Sequence, residues 1–347
     1  MDSSENFGAS VATSDGSAIV VGAPGTTGRF GDFLYNFPSP GTSSPLTAEG
    51  CGQSAVINAA GTIAAFGCPA SNSFIVWPSL TAAGAPMSYG TTGVGYTLAT
   101  NAAGTRFAVG TSNAIFIYQD PNSVINRMFS ISTVQTPLAL SLSDDGSRLV
   151  AGFAGEVRTY AVTDTSITEV GTVEERLTNG LGLFGASLAL RGDGTTLVVG
   201  ANLASFPGMG TPGAALVYTR GGREWMPVGS LRGEITNGLF GTAVAINRDG
   251  TRFAVSALSA GSGCIGVCSG PCLTLATTRE CQLRPGQGGV YVYRYDGLRV
   301  TLESYIRPPI ETGTGAFGFD LSLNRAGTRL VVGDSTYDTS GAVFVVE

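Results

Sequence analysis

The residues able to do chemistry in this chain are few and narrow in type. Its 347 residues include 25 Asp and Glu, six Cys and no His, and all 19 basic residues are Arg. Without Lys there is no amine nucleophile or Schiff-base former. Without His there is no imidazole base or imidazole metal ligand. Acid–base chemistry therefore rests on carboxylates and redox chemistry on cysteine. The all-arginine basic set reads as GC-rich codon bias rather than as a functional choice. The net charge of −6 and pI near 4.8 argue against a nucleic-acid partner, whose binding is dominated by cations on phosphate.

Most conspicuous carboxylates stand in short polar turns: Ser14-Asp15-Gly16, Asp144-Asp145-Gly146 and Arg248-Asp249-Gly250. There Asp-Gly is hairpin chemistry, with glycine supplying the positive φ of a two-residue turn. Arg191-Gly192-Asp193 is an RGD tripeptide, but it aligns with Asn247-Arg248-Asp249 and reads as the same turn. Glu174-Glu175 reads as solvated loop charge. Val-Gly-Ala-Pro is no phosphate loop, because no helix follows and no Lys is present. No catalytic residue, metal ligand or cofactor is assigned.

The cysteines read as disulfides. Cys51 and Cys68 flank a hairpin turn centred near Ala59-Ala60, and both index sums equal 119, which sets the two across adjacent strands. Cys264, Cys268, Cys272 and Cys281 share one insertion, 258–287, whose spacing lacks the usual zinc knuckles; two disulfides of open pairing are expected. Such usage points to an oxidising compartment or an exposed particle surface.

The elements that position these residues come from a phrase repeated seven times. Clear copies are FGASVATSDGSAIVVGAP from Phe7, FGASLALRGDGTTLVVGA from Phe184, FGTAVAINRDGTRFAVSA from Phe240 and FGFDLSLNRAGTRLVVGD from Phe317; worn copies begin near 51, 94 and 137. The turn glycines Gly16, Gly61, Gly104, Gly146, Gly194, Gly250 and Gly327 are spaced by 45, 43, 42, 48, 56 and 77 residues by subtraction. Each copy reads as an alternating run, a turn, a dense apolar run, a variable loop, an aromatic and β-branched run, and a weaker fourth run. That is the arithmetic of a propeller blade. The expected fold is all-β: one domain, 1–347, a seven-bladed β-propeller of short antiparallel four-stranded blades. The seventh blade is expected to be three-stranded or barely capped by residues 2 to 6, leaving an edge for strand addition. No run of eighteen apolar residues marks a membrane span, and no leader pattern is visible at the start of the chain.

Phe7-Gly8 with Gly22-Ala23-Pro24, repeated in register, resembles the FG-GAP repeat family, the blade type of integrin α-subunit heads and of many microbial and viral surface proteins. The resemblance covers nearly the whole chain and implies a propeller with adhesive or assembly roles. Integrin-type blades often carry an Asp-rich calcium loop at the first turn. Here the turn has one or two carboxylates, too few for calcium's six to eight oxygens, so calcium sites are not carried over.

In a propeller, loops between strands two and three, and from strand four to the next blade, gather on one face. Variable loops on a rigid scaffold carry function. Candidate ligand-binding residues on that face are Arg29, Phe30, Asn179, Phe206, Met209, Asn237, Tyr337 and Asp338. The sequence thus points to a non-enzymatic binding, adhesion or assembly protein. It would be extracellular or on a cell or virion surface, with a protein or glycan ligand. The alternatives are a glycan-binding lectin or a carboxylate-dependent polysaccharide-active enzyme.

Overall fold

A computed structural model describes residues 6–25, 32–36, 44–46, 50–80, 86–90, 94–119, 126–175, 182–222, 224–259, 288–308 and 316–347. The sheets are antiparallel meanders, each built from consecutive strands. Blade 5 is typical: Ser187–Leu190, Thr196–Ala201, Ala214–Gly221 and Glu224–Arg232, paired in chain order. The inner strands of the other blades are Ser10–Thr13, Ala55–Ile57, Val94–Thr100, Ala139–Leu142 and Phe240–Ile246.

The expectation of a seven-bladed propeller is corrected to six four-stranded blades, while the expectation of a three-stranded last sheet is met. Six sheets have four strands; the last repeat forms a three-stranded sheet, Leu321–Leu323, Leu330–Asp334 and Ala342–Val346. Among the described residues no strand pairs with the outer edge of Ala342–Val346. All five of its residues are only partly buried. In blade 5 the fourth strand covers the third, where Leu216, Val217 and Tyr218 are buried.

The second strand of each sheet is the core, as its apolar density requires: Ala18–Gly22, Ala64–Cys68 and Thr196–Ala201 are buried throughout. The Phe of each Phe-Gly packs into the sheet before its own. Phe184 joins Val150 and Val157 of blade 4, and Phe240 joins Val198 and Val217 of blade 5. Phe240 and Phe317 also form parallel bridges with Gly213 and Gly288, the glycines that precede the third strands of the sheets before them. Phe7 makes the same bridge to Gly341, and its N–H donates to Ser340 O at 3.0 Å. The ring thus closes through the same contact that joins its interior blades.

The turns correct a second expectation. They are not two-residue hairpins. Ser143 N–H donates to Arg148 O and Gly146 N–H to Ser143 O, both at 2.9 Å, which leaves four residues in the loop. Only Gly146 in it takes a positive φ, of 70°, while Asp145 does not. The longer turn also shifts the register. Pairs in blade 2 run Ala55↔Phe66, Val56↔Ala65 and Ile57↔Ala64, with index sum 121 rather than 119. Cys51 and Cys68 are nevertheless bonded. Gly52 and Gln53 N–H both donate to Gly67 O, and this bulge absorbs the two-residue offset before the cysteine is reached.

Two outcomes test this architecture. Phe7→Ala empties the closing contact and is expected to cost about 3–5 kcal/mol in denaturant unfolding, whereas Leu298→Ala at an exposed turn changes stability by about 0.5 kcal/mol or less. The Cys51–Cys68 bridge spans 17 residues, so chain entropy limits its contribution to about 3 kcal/mol. Reduction is expected to lower the melting temperature while native-like circular dichroism persists at 25 °C; complete unfolding on reduction would contradict this.

Candidate functional site

The inner strands surround an axial channel of about 490 Å³. Its two ends differ because opposite ends of the repeat build them. At the turn end, one residue per turn hydrogen-bonds to the next turn. Asp15 N–H donates to Ala59 O, Ala59 to Ala102, Ala102 to Asp144, Asp144 to Gly192, Gly192 to Arg248, and Arg248 to Arg325, all within 2.7–3.1 Å. The circle closes on a side chain: Arg325 N–H donates to Asp15 Oδ1 at 2.9 Å. Asp144 Oδ2 also accepts from Arg248 Nε at 2.8 Å and from the Arg325 guanidinium. This bridge passes blade 5 only because Gly192 stands there; a Cβ at Gly192 would lie 2.5 Å from Asp144 Oδ2. The RGD tripeptide is therefore a turn. Arg191 Nε lies 3.3 Å from its own Asp193, whose Oδ1 accepts from Thr195 N–H and Oγ1.

The remaining turn residues are also engaged. Asn58 Oδ1 accepts from Thr62 and Ile63 N–H, and Asn101 and Asn324 repeat the arrangement. Arg106, Arg252 and Arg329 each donate to the turn-glycine carbonyl of the next sheet: Gly146, Gly327 and Gly16. Asp249 accepts from Thr251, and these bonds hold its carboxyl below the usual carboxylate value. Among the described residues no group of three or more acidic or cysteine side chains is placed to hold a metal.

The other end opens among the variable loops. Its rim takes the residue after each Phe-Gly or its counterpart in the worn copies: Tyr96, Leu138 and Phe319 are 49%, 44% and 40% exposed, beside Ala9, Gln53, Ala186 and Thr242. One residue inward, the repeat column reads Ser10, Ser54, Thr97, Ala139, Ser187, Ala243 and Asp320. Among the described residues, Asp320 is the single carboxylate lining the channel. Its Oδ2 accepts from Val11 N–H at 2.8 Å across the closing junction and its Oδ1 from Leu321 N–H at 2.9 Å. Burial pushes its pKa up to about 6, against the pull of those two bonds. Sequence reasoning missed Asp320, although one acid in an otherwise Ser/Thr/Ala column was a visible signal.

Three of the predicted loop residues come together. Met209 N–H donates to Phe206 O at 3.0 Å, and the Arg232 guanidinium sits 5.2 Å above the Phe206 ring. Thr236 Oγ1 donates to Met209 O, and the Thr211 hydroxyl to Asn237 Oδ1. Tyr337 and exposed Asp338 lie instead in the 3-10 turn joining the last two strands of the three-stranded sheet, where Tyr337 packs edge-on against Phe344 at 5.6 Å. Arg29, Phe30, Asn179, Cys264, Cys268, Cys272 and Cys281 lie outside the described residues.

No protein-family model matches the chain, and no curated protein matches it either. Among solved structures it is similar to the β-propeller domain of Cps50 (Swd1) from Myceliophteria thermophila. The TM-score is 0.67 and the identity 13%, over 99% of this chain and 96% of that one. At that identity the likeness establishes a β-propeller fold.

Asp320 gives a signed pH prediction. Its folded pKa of about 6 lies above the ordinary 3.8, so the folded state binds the proton more tightly. Its contribution is full below 3.8 and is lost as pH rises through about 6. The melting temperature of the wild type relative to Asp320→Asn is therefore expected to fall between pH 5 and 7. A difference independent of pH would show that Asp320 does not titrate there.

Proposed function

We propose that this propeller is a non-enzymatic binding module of FG-GAP type, working outside the cell or on a particle surface. It engages a protein partner through its variable-loop face. The observation that carries this reading is the placement of exposed apolar side chains. Of nine large ones among the described residues, six stand on that face: Tyr96, Val134, Leu138, Leu183, Leu203 and Phe319. Val134 is 92% exposed. Apolar and aromatic side chains gathered on one face are the composition of an interface core. The opposite face is taken up by the turn circle and its arginine fasteners.

The repeat motif supports the FG-GAP reading, since its Phe-Gly and Gly-Ala steps are the blade junctions. The bonded Cys51 and Cys68 support an oxidising compartment. Binding is favoured over glycan hydrolysis because a glycosidase uses two carboxyls roughly 5–9.5 Å apart, and among the described residues the channel lining offers Asp320 alone. The outer edge of Ala342–Val346 is uncharged and rich in β-branched residues, which suits it to accept a strand from a second partner.

The test is a binding screen of protein and glycan arrays with three forms of the chain. Leu203→Ser with Met209→Ser on the variable face is expected to lower partner binding about tenfold or more, and Leu298→Ser on the turn face to leave it unchanged. Robust polysaccharide turnover abolished by Asp320→Asn would replace the binding reading with the enzymatic one.

A further inference from the structure

We infer that the axial mouth is a socket for a cationic side chain, arginine or lysine, presented by the protein partner. This rests on the variable-face reading and specifies the chemistry at its centre. The lining of the channel is neutral apart from Asp320. Several of its hydroxyls bridge neighbouring blades: Ser54, Ser141 and Ser322 Oγ accept from Leu98, Leu190 and Thr13 N–H, and Ser10 and Ser187 Oγ donate to Gly52 and Gly241 O. At the far end the charges neutralise one another, with Asp144 between Arg248 and Arg325, and Arg325 also on Asp15. Among the described lining residues, the charge at the mouth is therefore that of Asp320.

The carboxylate is not itself balanced. Its two hydrogen bonds come from neutral backbone N–H groups, and it forms none of the ion pairs found among the described residues. A carboxylate offers about four acceptor positions, so two bonds leave room for a further donor. A partly buried carboxylate without a counter-charge favours a cation that arrives with its own apolar stem. The rim fits that stem and that charge. Leu138 offers aliphatic contact. The exposed rings of Tyr96 and Phe319 offer π faces, which attract guanidinium and ammonium groups. A channel of about 490 Å³ falls within the size range of small-ligand pockets. A neutral or anionic side chain would leave Asp320 uncompensated.

The experiment titrates the full chain at pH 7.5 with Nα-acetyl-arginine amide and with its neutral isostere, Nα-acetyl-citrulline amide, by calorimetry and ligand-observed NMR. The arginine amide is expected to bind at least about tenfold more tightly than the citrulline amide, and Asp320→Asn to bring the two level. Asparagine keeps a side-chain oxygen for Val11 N–H, and an unchanged circular dichroism spectrum checks that the ring is intact. Phe319→Ala is expected to weaken arginine binding several-fold and Leu298→Ser not to affect it. Equal affinity for the two amides, no binding of either, or full binding by Asp320→Asn overturns the socket. If the socket fails while Leu203→Ser with Met209→Ser still abolishes partner binding, the variable-face reading stands alone. If the arginine amide binds but that double variant keeps its partner, the socket stands and the variable-loop reading falls.

Discussion

Everything in this ring depends on how closely one sheet can approach the next. The limit is set where the second strand of one blade meets the Phe-Gly of the following blade. A Cβ at Gly200 would lie 2.1 Å from Gly241 O, and one at Gly333 would lie 2.1 Å from Gly8 O. No side chain fits in that space, so the glycine of Gly-Ala and the glycine of Phe-Gly are required together. With the backbones in contact, the preceding Phe enters the neighbouring sheet and the inner strands come within reach of each other's N–H groups. The motif is therefore a junction, and its repetition makes the ring.

Fastening follows from that approach. Once adjacent turns are close, each can donate a backbone N–H to the next. The Thr/Ser-Arg step after the turn glycine places a guanidinium on the neighbouring turn carbonyl, as Arg106 does on Gly146 at 2.9 Å. Such positions need several donors in a fixed fork, which suits arginine better than lysine. The closing junction reuses these parts with two substitutions. Asp15 supplies a carboxylate where the other turns supply a carbonyl, and Asp320 stands where its counterparts are Ser, Thr or Ala. Closure between the chain's two ends thus relies more on charge than the other junctions do.

Much of this was legible in the sequence because the repeat states it seven times. The buried second strand, the turn glycines and the Cys51–Cys68 bond all follow from spacing and composition. The turn type was not legible, since Asp-Gly serves both a two-residue hairpin and a four-residue turn. Hydrogen bonds between neighbouring turns favour the longer form. The resulting offset of two residues in blade 2 was hidden by the bulge at Gly52 and Gln53, which restored the cysteine pairing. The three-stranded last sheet was legible too, because the seventh copy carries only three strand runs. Asp320 was readable only as an exception within a column, after alignment of the copies by position rather than by motif.

The division between the two faces follows from the same physics. At the turn face, chain reversals are tight, so their polar groups lie near one another and satisfy each other around the circle. Little is left over: Asp144, Asp15, Arg248 and Arg325 compensate among themselves. At the variable face the connections differ in length and sequence, so no circle of equivalent bonds can form. Side chains there are free of the closure constraint, and those that remain apolar and exposed, such as Val134, Leu203 and Phe319, do not serve the ring. A scaffold whose repeated geometry fills one face leaves the side chains of the other free of the closure constraint. Among the described lining residues the one unbalanced charge, Asp320, sits at the end that opens onto that face.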